Sequence, residues 1–162
     1  MKQVIVILVL VTISLGISAQ DKVELYNPNL DGMEQIDKAI EKAEASGKHV
    51  FIQLGGNWCG WCILFDKFVK DDQELTELIN DNYVVVHLNY SRENKNEDCL
   101  KRLEYPNRFG YPVFIILDGK GNRIHTQNSA LLEEGKGYNR KDVLNFFKAW
   151  TVAAVDPASY KF

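Results

Sequence analysis

Cysteine is scarce in this chain: three residues in 162. That is too few to staple a small domain, so stability has to come from an apolar core. An excess of positive charge is also missing. The formal net charge is −3, which gives no reason to expect nucleic acid or an anionic membrane surface as partner. A long apolar run is lacking too, because the stretch from Val4 to Ile13 falls short of the about 20 residues a membrane span needs. No internal repeat, low-complexity tract or inter-domain linker appears. What remains, 46% hydrophobic and 25% charged residues, is the composition of one ordinary globular domain.

The first residues stand apart from that domain. "MKQVIVILVLVTISLGISAQ" carries a positive Lys2, an apolar run and then small residues ending at Ala19. This is the layout of a secretory signal peptide over residues 1–19, with cleavage between Ala19 and Gln20. The alternative is an uncleaved N-terminal anchor. No cysteine follows the apolar run, so lipid attachment is not expected. Cleavage removes Lys2 and no acid, leaving 18 basic against 22 acidic residues, a net −4. The expected product, residues 20–162, is exported to the periplasm or secreted, without stable membrane insertion, into a compartment where disulfides persist.

Along that product, hydrophobic spacing alternates between two periods. After a short extended start, "DGMEQIDKAIEKAEASGK" repeats Met33, Ile36, Ile40 and Ala43 at helical spacing, with Asp31 as cap and Gly47 as stop. "HVFIQLGG" reads as a buried strand closed by two glycines. "CILFDKFVKDDQELTELIND" is helical with a break at Asp71-Asp72, and "YVVVHLNY" is a second strand. A polar loop and a short helix over "CLKRLEY" follow. "PVFIILDGKGNRIHT" reads as a β-hairpin, and "NRKDVLNFFKAW" as an amphipathic final helix. Strands alternating with helices imply an α/β fold with a central mixed, mostly parallel sheet and helices on both faces. "LLEEGKGY" reads as a surface loop without chemistry.

The chemistry sits in "NWCGWCILF", residues 57–65. Two cysteines two residues apart can be a structural disulfide, half of a metal site or a redox centre. A structural bridge here closes a very small loop and gains little entropy. Zinc needs two more ligands, and only Cys99, His49, His87 and His125 remain, with no second close pair. For a redox centre the placement is apt. Cys59 follows a strand and two glycines, where the free N–H groups and positive end of the next helix stabilise a thiolate. Cys62 lies one turn further in, able to resolve a mixed disulfide formed by Cys59. Trp58 and Trp61 flank the pair. Trp61, at a helix start that has to meet substrates, is expected to be exposed and in contact with partners. Cys99 reads as a small buried hydrophobe, or else as a second resolving thiol or the site of an intermolecular bridge. Asp66 and Lys67, one turn past Cys62, read as solvated surface charge, or else as groups that tune the thiols.

"FIQLGGNWCGWC" followed by "FGYPVFIILDGKGN" resembles the thioredoxin superfamily, and in particular its exported single-domain members with an extra N-terminal helix. The resemblance runs from about Val23 to Trp150. It implies a thioredoxin fold closed by a β-hairpin and a C-terminal helix, and thiol–disulfide oxidoreductase activity of the reductase or isomerase kind. It implies Cys59 as nucleophile, Cys62 as resolving thiol, and a cis bond before Pro112. Trp58, Gly60, Trp61 and Tyr111 are then substrate contacts beside that proline. The redox group is the Cys59–Cys62 disulfide, with no metal, nucleotide or prosthetic group. The implied partners are protein thiols and disulfides and a separate redox protein that recycles the pair. The other reading is a non-catalytic thioredoxin-fold binding or chaperone-like module whose disulfide is permanent. Two departures from thioredoxin itself stand out. Gly60-Trp61 replaces the frequent Gly-Pro, and Gln53 occupies the place of a buried acid that serves as proton acceptor.

Overall fold

His49–Gly55 (β1) is buried at all seven positions, the mark of a strand covered on both faces. The computed structural model describes residues 24–160; the expected signal peptide lies outside them. β1 pairs in parallel with Tyr83–Asn89 (β2) and antiparallel with Val113–Leu117 (β3). Arg123–Asn128 (β4) extends the sheet beyond β3, giving the order β2-β1-β3-β4.

The alternation of β1 side chains divides the core in two. Val50, Ile52 and Leu54 face Gly32–Ser46 (α1) and Glu97–Arg102 (α4), meeting Ile36, Ala39, Ala43 and Leu100. Phe51 points the other way, into a cluster shared with Gly60–Lys70 (α2), Gln73–Asn82 (α3) and Arg140–Ala149 (α5). Local signals set the helix ends. Asp31 accepts hydrogen bonds from the N–H groups of Met33 and Glu34 at the start of α1, and Gly47 closes it at φ 65°. Asp72, extended at φ −113°, caps α3 through the N–H of Leu75 and separates it from α2.

The mixed sheet agrees with the expectation, but its parallel share is smaller than the strand–helix alternation implies: one pairing of three. After β2 the chain passes through the six-residue α4, which packs in the α1-side core, and re-enters the sheet at the end where β2 stopped. Val113 lies opposite Leu54, near the end of β1, and β3 runs backwards.

Two other segments differ from expectation. The described part of the extended start, residues 24–31, forms turns rather than a strand, because the Asn27 side chain accepts from the Asn29 N–H and its carbonyl from Leu30. The "LLEEGKGY" stretch contains a small hairpin, Glu133–Glu134 (β5) with Gly137–Tyr138 (β6), and buries Tyr138. Val152–Val155 (α6) follows the expected final helix.

Phe51 is the hub of the aromatic layer, with ring centroids 4.9 Å from Phe147 and 5.5 Å from Phe114. Phe51→Ala is expected to cost about 3–5 kcal/mol of stability, measured by urea unfolding. A loss under about 1 kcal/mol would show that this layer closes over the gap.

Candidate active site

β1 ends in Gly55, and Gly56 follows; what surrounds them explains why neither carries a side chain. A Cβ on Gly55 would stand 2.4 Å from the Cys62 sulfur and 2.9 Å from the Tyr26 hydroxyl oxygen; one on Gly56 would stand 2.4 Å from Trp58 Nε1. This bare backbone lets the turn into α2 fold tightly. The Cys59 N–H donates to the Gly56 carbonyl at 2.9 Å, and Cys59 caps α2 in extended conformation. Its sulfur accepts a 3.2 Å hydrogen bond from the Cys62 N–H.

The two cysteines form a disulfide with Cα atoms 5.2 Å apart. Cys59 keeps 5% of its surface open and Cys62 none. An incoming sulfur therefore meets Cys59 first. When the bond is reduced, the amide donors and dipole at the α2 start favour charge on Cys59.

Beneath the pair, Gln53 Nε2 donates to the Tyr26 hydroxyl at 2.7 Å and to the Cys62 carbonyl at 3.0 Å. Tyr26 is held by Asn57 in both directions. Its N–H donates to Asn57 Oδ1 at 2.9 Å, and its carbonyl accepts from Nδ2 at 2.7 Å. Burial raises the Tyr26 phenol pKa far beyond its usual value, outweighing the hydrogen bond from Gln53, which lowers it. Further along α2, Asp66 pairs with Lys70 at 2.7 Å and lies 3.8 Å from His87 Nε2. Burial lowers the His87 pKa; Asp66 opposes that shift and Lys70 adds to it. The imidazole is therefore neutral at pH 7.

An aromatic rim surrounds the opening. Trp58 is 58% exposed, donates Nε1–H to the Tyr90 carbonyl at 2.7 Å and stands edge-on to Tyr111 at 5.3 Å. Tyr111 stacks on Tyr90 at 5.1 Å, and the Tyr111–Pro112 peptide is cis. A groove of about 650 Å³ passes Trp58, bordered by Asn57 and Tyr90 and by Arg92 and Lys95 of the loop after β2.

The thioredoxin-like family model matches residues 31–119, more than half of the chain. The chain belongs to the thioredoxin-like family. It is 26% identical over 104 residues to the thiol:disulfide interchange protein DsbD of Escherichia coli, covering 64% of this chain and 18% of that protein. The chain thus spans less than a fifth of the length of the curated relatives it matches. Among solved structures, a disulphide isomerase from Xylella fastidiosa superposes with a TM-score of 0.69 at 22% identity, covering 78% of this chain and 95% of that one. A thioredoxin from Thermus thermophilus gives 0.54 at 20% identity, covering 74% and 85%. At these identities the structural likeness speaks for the fold alone.

Within this thioredoxin-like frame, Cys59, Cys62, Trp58, Gly60, Tyr111 and Pro112 gather at the C-terminal end of β1. Trp61 departs from its expected exposure. It is half-buried, edge-on to Tyr138 at 5.6 Å, and its carbonyl accepts from the Tyr138 hydroxyl at 3.2 Å. One turn into α2, its ring turns toward the core layer, and Trp58 is the exposed indole. Asp66, read as solvated, has a side chain only 12% exposed because it faces β2 and His87; Lys67 does lie at the surface, paired with Asp71. Cys99 lies buried in the α1-side core, away from the pair. His49 Nδ1–H donates to the Trp150 carbonyl at 2.8 Å, and His125 stacks on Trp150 at 4.2 Å. Among the described residues no group of three or more His, Cys, Asp or Glu is arranged to hold a metal ion. Sequence reasoning missed Tyr26, Tyr90 and Tyr138. Tyr90, ending a strand-type run, carried a faint signal; the other two carried none.

Burial pushes the Cys99 thiol up to about 11, so its thiolate fraction at pH 8 is about one in a thousand. Brief alkylation of the reduced, folded protein at that pH should label Cys59 first, then Cys62, and Cys99 only after unfolding, as read by peptide mass spectrometry. Labelling of Cys62 before Cys59 would reverse the assigned order.

Proposed function

We propose that this chain is an exported thiol–disulfide oxidoreductase that exchanges disulfides with protein substrates, working as a reductase or isomerase. The observation that carries the reading is the placement of Cys59 at the cap of α2, slightly open, with Cys62 sealed directly behind it. In the reductive direction the Cys59 thiolate attacks a substrate disulfide, forming a mixed disulfide and releasing one substrate thiolate. Cys62 then loses its proton and attacks the Cys59 sulfur. The bond from Cys59 to the substrate breaks, and the second substrate sulfur leaves with the electron pair. The cysteine pair ends oxidised by two electrons and the substrate reduced by two. A separate redox protein returns the pair to the dithiol.

Trp58, Gly60, Tyr111 and Pro112 supply the surface on which an extended substrate segment lies, with Trp61 bracing it from below. The names of the relatives, an interchange protein and an isomerase, agree with this chemistry. Export rests on the signal-like residues 1–19, and no described helix is long and apolar enough to cross a membrane. The second reading, a binding module with a permanent disulfide, draws on the near-complete burial of the pair.

Insulin reduction by dithiothreitol separates the two. The protein without its N-terminal signal is expected to accelerate precipitation of the insulin chains, and Cys59→Ser to abolish the effect. A protein that binds unfolded chains but leaves insulin reduction at the background rate belongs to the second reading.

The redox poise follows from what surrounds the thiolate. No Lys, Arg or His occurs from Phe51 to Phe65, and the helix start contributes only about 0.3–1 kcal/mol. Equilibration with glutathione is expected to give a potential between about −270 and −180 mV. A value near −120 mV would mark the protein as a disulfide donor.

A further inference from the structure

The thiol–disulfide cycle needs Cys62 to part with a proton while wholly enclosed, and Gln53, which lies beneath it, has no ionisable group to help. Another polar group lies close to the sulfur, with no hydrogen bond to it in the disulfide form. Measured from the place a Cβ on Gly55 would occupy, the Cys62 sulfur lies 2.4 Å away and the Tyr26 hydroxyl oxygen 2.9 Å. The hydroxyl oxygen accepts from Gln53 Nε2 at 2.7 Å, and no acceptor takes its hydrogen among the described residues. Asn57 pins the Tyr26 backbone from both sides, and the ring is 1% exposed and edge-on to His87 at 5.8 Å. A buried donor is thus fixed next to the reacting sulfur, with its proton uncommitted.

We propose that Tyr26 is a catalytic residue for the second half of the cycle: its hydroxyl donates a hydrogen bond to the Cys62 sulfur and stabilises the thiolate that attacks Cys59. This rests on the redox-cycling reading above. Tyrosine acts here as donor and not as base, since burial holds the phenol protonated. The proton released by Cys62 passes to solvent. Gln53 strengthens the donor, because an N–H given to the phenol oxygen polarises the O–H. Of the groups around it, Asp66 on α2 is paired with Lys70. His87 on β2 is neutral, and Tyr138 and Tyr111 carry un-ionised phenols. The Tyr26 hydroxyl is thus the side-chain donor placed to favour ionisation of Cys62.

Two measurements on Tyr26→Phe test this without relying on turnover of a protein substrate. In a Cys59→Ser, Cys99→Ala background, Cys62 is the only thiol, and its titration is read from the pH dependence of its alkylation rate by iodoacetamide. Loss of the hydroxyl should move its titration about one pH unit higher, a roughly tenfold smaller thiolate fraction. In the otherwise native dithiol, reaction with an aromatic disulfide reagent has two phases: attack by Cys59, then ring closure by Cys62. Tyr26→Phe should slow the second phase about tenfold at pH 7 and leave the first within about twofold. 3-Fluorotyrosine placed at position 26, similar in shape but a stronger donor, should shift both readouts the opposite way. A purely structural hydroxyl would lower the thermal midpoint while leaving the Cys62 titration and the second phase in place; that result overturns the proposal. Should Tyr26→Phe not fold, an unmoved titration in the fluorotyrosine protein overturns it equally. Failure of insulin reduction in the unsubstituted protein would count against the oxidoreductase reading alone, because both readouts here need only the thiols.

Discussion

The site depends on how closely a sulfur approaches a backbone. At Gly55 the space that any side chain would need is taken by the Cys62 sulfur and the Tyr26 hydroxyl. At Gly56 it is taken by Trp58, whose indole reaches over to the Tyr90 carbonyl. Two successive residues without Cβ atoms let three chain segments converge on one strand end: the cysteine turn, the N-terminal segment held by Asn57, and the loop after β2. Any larger residue at either position pushes one of these segments away and opens the pair to water.

The strand that delivers this end is itself fixed from both sides. Val50, Ile52 and Leu54 anchor it against α1, and Phe51 anchors it in the aromatic layer with α2, α3 and α5. The next inward position on the aromatic face is Gln53, where an apolar residue would merely extend the packing. Its amide instead spends both donors, one on Tyr26 and one on Cys62. Core packing thus passes directly into the polar support of the disulfide along a single strand, which makes the site as rigid as the core.

Much of this was legible in the sequence. The cysteine turn announces itself through strand formers, two glycines and the flanking indoles, and Asp31, Gly47, Asp71 and Asp72 punctuate the helices through local hydrogen bonds. Local signals carry far because caps and turns are satisfied by residues two to four apart. The direction of β3 was not legible, since hydrophobic periodicity does not encode the end at which the chain re-enters the sheet. Tyr26 and Tyr138 were hidden for a related reason. Each reaches the pair across a large sequence separation, 27 residues from Tyr26 to Gln53 and 77 from Tyr138 to Trp61, and nothing in their immediate neighbours marks them. Trp61 was misjudged because its rotation about α2 is set by the Tyr138 hairpin, which itself reads as loop.

Cys99 has a consequence for the life of the chain before it is folded. In the finished structure its sulfur is enclosed between α4 and the start of α1, where a Cβ on Gly32 would come within 2.7 Å of it. On the proposed route of export, a nascent chain meets an oxidising compartment before that enclosure exists. Three thiols then allow three pairings, of which one is native. Correct oxidation becomes a race between docking of α1 onto α4 and the arrival of an oxidant, and the packing of one glycine against one sulfur acts as the chain's own proofreader.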